Sequence, residues 1–260
     1  MEFFDSHAHY NDEKFDEDRW EIIKKVYEEG NVTKLITVGY NIKSSKKAIE
    51  IANKIDYIYA TIGVSPNDVP DSLEKWKKIL KDLKELAIGK KIVAIGEIGL
   101  DYYWNKENKD LQKQIFKDQI ELANKLNLPI VIHTRDAFVD TIDILKEKMP
   151  IKKGIFHCCP QNRELIRDAL DLGFYISVAG PITFKNSKNA EDISKMVPLN
   201  KLLIETDSPY LSPEPKRGKR NDSSNIKYIA EKIAEFKGIS IEELAKATYK
   251  NASKIFGLTN

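Results

Sequence analysis

Residues 92–101 read IVAIGEIGLD, an apolar run that a carboxylate, Glu97, interrupts. A run of this length, with glycines close behind it, is typical of a buried β-strand. Seven other short apolar runs resemble it, and longer amphipathic stretches rich in Lys and Glu separate them. This alternation favours parallel β/α units, and eight such units predict a closed (β/α)8 TIM-type barrel of the α/β class.

The predicted elements cover the chain from end to end without a linker or a low-complexity segment. The predicted strands are Phe3–His7, Lys34–Val38, Tyr57–Gly63, Ile92–Glu97, Pro129–His133, Gly154–His157, Phe174–Val178 and Leu202–Glu205. The predicted helices are Phe15–Glu29, Ser44–Lys54, Leu73–Leu86, Asn108–Leu126, Ala137–Glu147, Arg163–Leu172, Ala190–Met196, Asn225–Phe236 and Ile241–Phe256. We therefore expect one domain over residues 1–260, with the active site at the C-terminal rim of the strands.

Composition excludes several classes of protein. Hydrophobic residues make up 42% of the chain, which is enough for a sizeable core and excludes a disordered protein. The net charge of +2 is too small for a protein that coats nucleic acid by bulk charge. Cys158 and Cys159 are adjacent, so they indicate core packing rather than a disulfide framework or a metal site. Because we find neither a leader nor a membrane span, we expect a cytoplasmic protein without membrane contact.

The four histidines of the chain all fall at the C-terminal ends of predicted strands. They are His7, His9, His133 and His157. A single histidine there is usually bonded to a backbone carbonyl, but four at one rim indicate a shared function. Alternate residues of a strand share a face, so His7 and His9 can both face the barrel mouth, with Asp5 available to support them.

Two carboxylates at the same rim suggest a metal centre. Burying Glu97 is costly unless a positive charge compensates it, and Lys90 and Lys91 lie at the other end of its strand. Asp207 either turns the chain before Pro209 or acts as a ligand and general base. Six ligands exceed one tetrahedral site and suit two divalent ions, Mg²⁺, Mn²⁺ or Zn²⁺. Glu97 would bridge one site of His7, His9 and Asp207 and another of His133 and His157.

Such a centre predicts hydrolysis. Two divalent ions lower the pKa of bound water and stabilise charge on the attacking and leaving oxygens. Their +4 exceeds the −2 of Glu97 and Asp207, so the pocket would favour an anionic substrate such as a phosphodiester. A basic cluster after the eighth strand either binds phosphate or is a solvated loop; it contains Lys216, Arg217, Lys219 and Arg220. Tyr102, Tyr103 and Trp104 either stack bases or pack on a neighbouring loop.

Taken together, these residues resemble the TatD family of metal-dependent deoxyribonucleases, within the amidohydrolase-like barrels. The resemblance is carried by DSHAH at residues 5–9, GEIGLDY at 96–102, ETDSPYL at 205–211 and RGKRN at 217–221. It implies a TIM-type barrel, divalent ions and exonuclease-like cleavage of DNA. It also implies a set of metal ligands: His7, His9, Glu97, His133, His157 and Asp207. Asp207 and Glu97 are the expected catalytic residues.

Three loops depart from the family pattern while sparing the metal ligands. Residues 63–67 read GVSPN where family members often carry histidines, so Ser65 can weaken contact with the scissile phosphate or remove a proton donor. Cys159-Pro160-Gln161 stands where Phe-Ser-Gly is usual, and Lys216 stands where His is frequent. The expected substrate contacts are Ser65, Arg135, Lys216, Arg217, Lys219 and Arg220.

Three functions are consistent with this pattern. The first is a deoxyribonuclease that acts on DNA, with a single strand as the expected substrate. The second is an amidohydrolase-like enzyme for a small amide, lactone or phosphoester. The third is a metal-stabilised nucleic-acid-binding protein without turnover. The pattern leaves the oligomeric state open.

Overall fold

Eight parallel strands form one sheet in a computed structural model that describes residues 1–258. The strands are β1 Phe3–Ala8, β2 Val32–Val38, β3 Ile58–Ile62, β4 Ile92–Asp101, β5 Ile130–Arg135, β6 Gly154–Phe156, β7 Tyr175–Val178 and β8 Leu202–Ile204. The helices are α1 Arg19–Glu28, α2 Ile42–Lys54, α3 Leu73–Leu86, α4 Lys109–Leu126, α5 Phe138–Glu147, α6 Arg163–Asp171, α7 Ala190–Met196, α8 Ile226–Lys237 and α9 Ile241–Ile255. Within the described residues, no helix combines the length and hydropathy that a membrane span requires.

The sheet curves into a nearly closed barrel. Each strand pairs in parallel with the next one along the chain, in the order β1 to β8. The last strand returns to the first: the N–H of Asp207, just beyond β8, donates to the carbonyl of His7 at 2.9 Å. The hydroxyl of Ser6 in β1 also donates to the carbonyl of Ile204 at 3.0 Å. The predicted TIM-type barrel is confirmed.

Two apolar layers hold the barrel together. Phe3, Leu35 and Leu202 point outward to the helices, whereas their neighbours in sequence point into the barrel. The inner layer includes Phe4, Ile36, Val93, Val131, Ile155 and Leu203. Because both faces of each strand are buried, the strands are continuous apolar runs rather than alternating ones.

Helix α9 and the residue after it extend the inner layer. Ala252 and Phe256 belong to the cluster that fills the barrel, and the ring centroid of Phe256 lies 6.0 Å from that of Phe4. Tyr249 meets Phe4 edge to face, with 5.7 Å between ring centroids. Helix α9 and Phe256 therefore pack against the first strand.

Two element boundaries differ from the predicted ones by four residues, whereas the others agree to within two. β4 continues past Glu97 to Asp101, because Gly99 and Asp101 pair with His133 and Arg135 of β5. The first helix begins at Arg19, after a short 3₁₀ turn over Glu13–Phe15.

Candidate metal centre

The C-terminal rim brings together all six residues that the sequence predicts as metal ligands. Each is buried or half-buried, although every one carries a polar side chain. They come from five strand ends: His7 and His9 from β1, Glu97 from β4, His133 from β5, His157 from β6 and Asp207 from β8. Their nitrogen and oxygen atoms face one another in two groups.

The first group consists of His7, His9 and Asp207. The Nε2 atoms of the two histidines are 3.1 Å apart. Oδ1 of Asp207 lies 3.2 Å from Nε2 of His9 and 3.6 Å from Nε2 of His7. Nδ1 of His9 lies 3.1 Å from the carbonyl of Val38, where it donates its proton. The lone pair of His9 therefore sits on Nε2 and faces the group.

The second group consists of His133 and His157. Nδ1 of His133 lies 3.2 Å from Nε2 of His157. Both nitrogens face Oε1 of Glu97, at 3.2 Å and 3.5 Å respectively. The two groups touch, because the His157 ring stacks on the His7 ring with 3.9 Å between centroids.

Glu97 joins the two groups through its two carboxylate oxygens. While Oε1 faces the second group, Oε2 lies 3.5 Å from Nε2 of His7 and 3.8 Å from Nε2 of His9. Burial raises the pKa of Glu97, but the surrounding histidines, His157 foremost, bring it well below its ordinary value. An ionised carboxylate therefore stands between the groups, where the sequence predicts a bridging ligand.

The donor set fits divalent metal ions. Residues 1–258 contain three clusters in which each residue offers one potential ligand atom and these atoms lie within 4.8 Å of one another. The clusters are His7 with His9 and Asp207, His7 with His157 and Glu205, and Glu97 with His133 and His157. Zinc–nitrogen bonds are about 2.0–2.1 Å long, so an ion fits between nitrogens 3.1 Å apart. Nδ1 of His7 and Oε2 of Glu205 are buried without a hydrogen-bond partner among the described residues, as expected for a site that completes its contacts with a ligand.

Protons compete with metal at this centre. Burial lowers the pKa of His157 and His133, but facing carboxylates more than offset this and leave both values above the ordinary one, His157 well above it. A histidine must lose its proton to bind a metal ion, so affinity falls as pH drops through these raised pKa values. We expect metal binding, measured by isothermal titration calorimetry, to tighten from about pH 6 to about pH 8. Equal affinity at both values would contradict this prediction.

Asp101 is a functional residue that the sequence analysis missed. Its Oδ2 lies 3.0 Å from Nε2 of His133, so it can fix the orientation and tautomer of that ring. The signal was present, since Asp101 belongs to the same strand as Glu97. The predicted strand ended too early, which placed Asp101 in a loop.

Glu205 is the second missed residue. Its Oε1 accepts the N–H of Cys158 at 2.7 Å and lies 3.3 Å from Nδ1 of His157. The signal was present, because Glu205 is the last residue of the predicted eighth strand, just as His157 is the last residue of the predicted sixth strand.

Asp5 supports barrel closure rather than the histidine rings. Its carboxylate accepts the N–H of Thr206 at 3.0 Å and the hydroxyls of Thr206 and Ser223, both at 2.5 Å. Burial raises the pKa of Asp5 to about 7, although these hydrogen bonds oppose the shift. Its nearest link to the metal centre is the backbone N–H of His7, at 3.3 Å.

Gly99 sets the spacing between β4 and β5 beside the centre. Its φ is +139°, and a Cβ atom on it would lie 2.0 Å from the carbonyl oxygen of His133. Only a residue without a side chain allows the two strands to approach this closely. The glycine in this motif therefore helps to hold His133 against Glu97.

Ser65 is buried in its own loop. Its hydroxyl donates to the carboxylate of Asp68 at 3.1 Å, and its N–H donates to the carbonyl of Tyr40 at 2.8 Å. The loop reaches the centre through Asn67 instead, whose side-chain amide lies 3.3 Å from Oδ2 of Asp101. The expected substrate contact at Ser65 has no support from this geometry, because the hydroxyl is already engaged.

Most of the basic cluster after β8 lines one cavity. Arg217, Lys219 and Arg220 line a cavity of about 620 Å³ that also includes Pro209, two residues beyond Asp207 in sequence. The guanidinium of Arg217 lies 3.7 Å from the ring centroid of Phe184. All three cations are exposed.

Two cations of the cluster have further surroundings. Arg220 forms a bidentate ion pair with Asp18 and also donates to the carbonyl of Lys14 at 2.7 Å. The hydrogen bond with Arg220 lowers the pKa of Asp18. Lys216 lines a second cavity with Lys25, to which Lys219 and Arg220 also contribute. Substrate contact by these four cations stays a prediction, and the guanidinium of Arg220 is already engaged by Asp18.

Arg135 and the cysteines complete the predicted positions. Arg135 is exposed at the end of β5. Cys158 and Cys159 belong to none of the three metal-binding clusters found among the described residues. Burial raises the pKa of Cys158 well above its ordinary value, so this thiol keeps its proton. Cys159 packs against the apolar core, and the absence of metal coordination by either thiol stays a prediction.

Comparison with known proteins tests the resemblance. A family model described as TatD related DNase matches residues 4–257. The chain is 45% identical over 254 residues to the uncharacterized metal-dependent hydrolase YabD of Bacillus subtilis, covering 97% of this chain and 98% of that protein.

Solved structures agree with this family. The crystal structure of YJJV, a TatD homologue of Escherichia coli, has a TM-score of 0.92 at 24% identity, covering 99% of this chain and 98% of that chain. A TatD family hydrolase of Entamoeba histolytica has a TM-score of 0.88 at 27% identity, covering 100% of this chain and 99% of that chain. With the fold, the clustered ligands and these matches in agreement, the chain belongs to the TatD-related DNase family of metal-dependent hydrolases.

Proposed function

We propose that this protein hydrolyses phosphodiester bonds of single-stranded DNA with two divalent metal ions. The observation that carries the proposal is Glu97, whose two oxygens face two separate pairs of histidines. A two-metal site that clamps the attacking and leaving oxygens is common among enzymes that cleave phosphodiesters. The family model, described as TatD related DNase, supports the same substrate.

Different side chains of the rim would coordinate the two ions. His7, His9 and Asp207 would hold one, His133 and His157 the other, and Glu97 would contact both. When bound, the ions would polarise the scissile phosphate and stabilise charge on the attacking and leaving oxygens. Asp101 and Glu205 keep His133 and His157 in the orientation that this binding requires.

Asp207 is the residue to which we assign proton transfer. Burial raises its pKa, but His9 brings it below the ordinary value, so the carboxylate is ionised at neutral pH. Its side chain is 14% exposed, compared with 10% for Glu97. Asp207 can therefore accept a hydrogen bond, and then a proton, from a water molecule that attacks the phosphorus.

Attraction of an anionic substrate depends on the surrounding rim rather than on the centre itself. Asp101 and Glu205 add two carboxylates to Glu97 and Asp207. The formal charge of −4 on these four carboxyl groups equals the +4 of two divalent ions in magnitude, whereas the count from sequence included only Glu97 and Asp207. The positive charge that the phosphodiester backbone requires would come from Arg217, Lys219 and Arg135.

Cleavage of an end-labelled single-stranded oligonucleotide tests the proposal. We expect a ladder of products with Mg²⁺, Mn²⁺ or Zn²⁺ and none with a chelator, because the proposed reaction depends on the bound ions to activate water. The same gel reports the polarity of cleavage. A panel of small amides, lactones and phosphoesters is run in parallel.

Each other outcome selects a different function. An intact oligonucleotide together with turnover of a small substrate would reject the nuclease and support the amidohydrolase-like alternative. Salt-dependent binding of DNA without any turnover would support a nucleic-acid-binding protein.

A further inference from the structure

The loop after β4 exposes two aromatic side chains next to the metal centre. Tyr103 is 47% exposed and Trp104 is 69% exposed. Their rings stand perpendicular, with 4.8 Å between centroids. Exposed aromatic side chains are costly in water, and a pair of them beside a catalytic rim indicates a binding surface.

The residue before them packs inward instead. Tyr102 is buried, and its hydroxyl donates to the carboxylate of Asp140 at 2.6 Å. Of the two alternatives considered from sequence, packing rather than base stacking therefore applies to Tyr102, although its partner lies in α5 and not in a loop. It leaves Tyr103 and Trp104 facing solvent on an anchored loop.

Arg135 adds a positive charge to this pair. It is the partner of Asp101 in the β4–β5 ladder, so it emerges beside the aromatic loop. Its guanidinium lies 3.7 Å from the ring centroid of Tyr103 and 5.6 Å from that of Trp104. A guanidinium plane offers a stacking surface for a base and a charge for a phosphate.

Asp101 fixes this surface relative to the metal centre. Its Oδ1 accepts the N–H groups of Tyr103 and Trp104, at 2.9 Å and 3.0 Å. Its Oδ2 faces Nε2 of His133 at 3.0 Å. One buried carboxylate therefore holds both the backbone of the aromatic loop and a predicted metal ligand.

We propose that Tyr103, Trp104 and Arg135 form a stacking subsite for an unpaired nucleobase next to the scissile phosphate. The inference rests on the proposed nuclease function and adds the basis for single-strand selectivity. Both faces of a base in a duplex are covered by its neighbours, so a duplex presents no free face to Trp104. An unpaired base in a single strand has a free face, and any of the four bases can stack on an aromatic ring.

Steady-state cleavage of a short single strand by the full-length protein tests this subsite. Trp104→Ala is expected to raise KM roughly tenfold with kcat nearly unchanged, because stacking binds ground state and transition state alike. Trp104→Phe keeps an aromatic face, so its KM is expected to stay close to the wild-type value. Trp20→Ala is the matched control, since Trp20 is 42% exposed on α1 and should leave KM at the wild-type value.

A substrate without bases isolates the stacking contribution. With an abasic strand of equal length, the wild-type KM should rise toward the KM that Trp104→Ala shows on the base-bearing strand. The KM of Trp104→Ala should differ little between the two strands. An unchanged KM for Trp104→Ala on the base-bearing strand would overturn the subsite while leaving the nuclease function intact. Absence of DNA cleavage by the metal-loaded wild type would overturn both.

Discussion

Replacing Glu97 with Gln is expected to lower kcat/KM for DNA cleavage by more than about 100-fold. Loss of a partner that only orients a metal ligand costs about 10- to 100-fold, and Glu97 would contact both ions directly. Gln keeps the shape of the side chain and removes the negative charge that faces four histidine nitrogens. Metal affinity should fall along with activity.

The Glu97→Gln experiment combines the oligonucleotide assay with calorimetric titration of the metal. Glu50→Gln is the control, because it also removes a carboxylate from ion pairs, here with Lys47 and Lys54 on the surface of α2. The control should keep full activity and metal affinity. Wild-type activity in Glu97→Gln, with circular dichroism showing a folded chain, would mean that the proposed centre is wrong.

Gly99→Ala is expected to lower the free energy of unfolding by roughly 3–5 kcal/mol, which combines overpacking with backbone strain. The new methyl group would lie 2.0 Å from the carbonyl oxygen of His133, and the backbone would have to keep a φ of +139°. To relieve the clash, β4 must move away from β5 at the position where Glu97 faces His133. Metal affinity should therefore fall together with stability.

Urea denaturation measures the free energy of unfolding of Gly99→Ala and Gly238→Ala. The comparison separates the effect of the steric clash from the effect of replacing a glycine that has a positive φ. Gly238 also has a positive φ, +65°, but a Cβ atom on it would meet nothing within 4 Å. Its replacement should cost about 1 kcal/mol, the penalty of the left-handed conformation alone. Equal losses in the two variants would refute the argument from strand spacing.

The positions of the histidines could be predicted from sequence because each follows a short apolar run. A strand period of two residues and the common rim of a parallel barrel suffice to bring His7 and His133 together, although 125 residues of chain lie between them. Glu97 could be predicted equally well, since a charge in an apolar run needs a partner. These features are local in sequence and repeat around the barrel.

The supporting contacts could not be predicted in the same way. Whether Arg220 faces substrate or Asp18 depends on how the loop after β8 folds back on the turn before α1, and neither segment has a periodic pattern. Ser65 likewise depends on a turn that brings Asp68 within reach. Such pairings are set by loop conformation, which composition and hydrophobic period do not encode.

The contact between Phe4 and Phe256 has a consequence for biosynthesis. The two rings are neighbours in one apolar cluster, although one belongs to the first strand and the other follows α9. A nascent chain cannot complete this cluster until Phe256 has left the ribosome. The apolar face of β1 that carries Phe4 therefore lacks this partner during most of translation. Contacts that distant in sequence slow folding and leave apolar strands open to aggregation, which makes chaperone protection of the growing chain valuable.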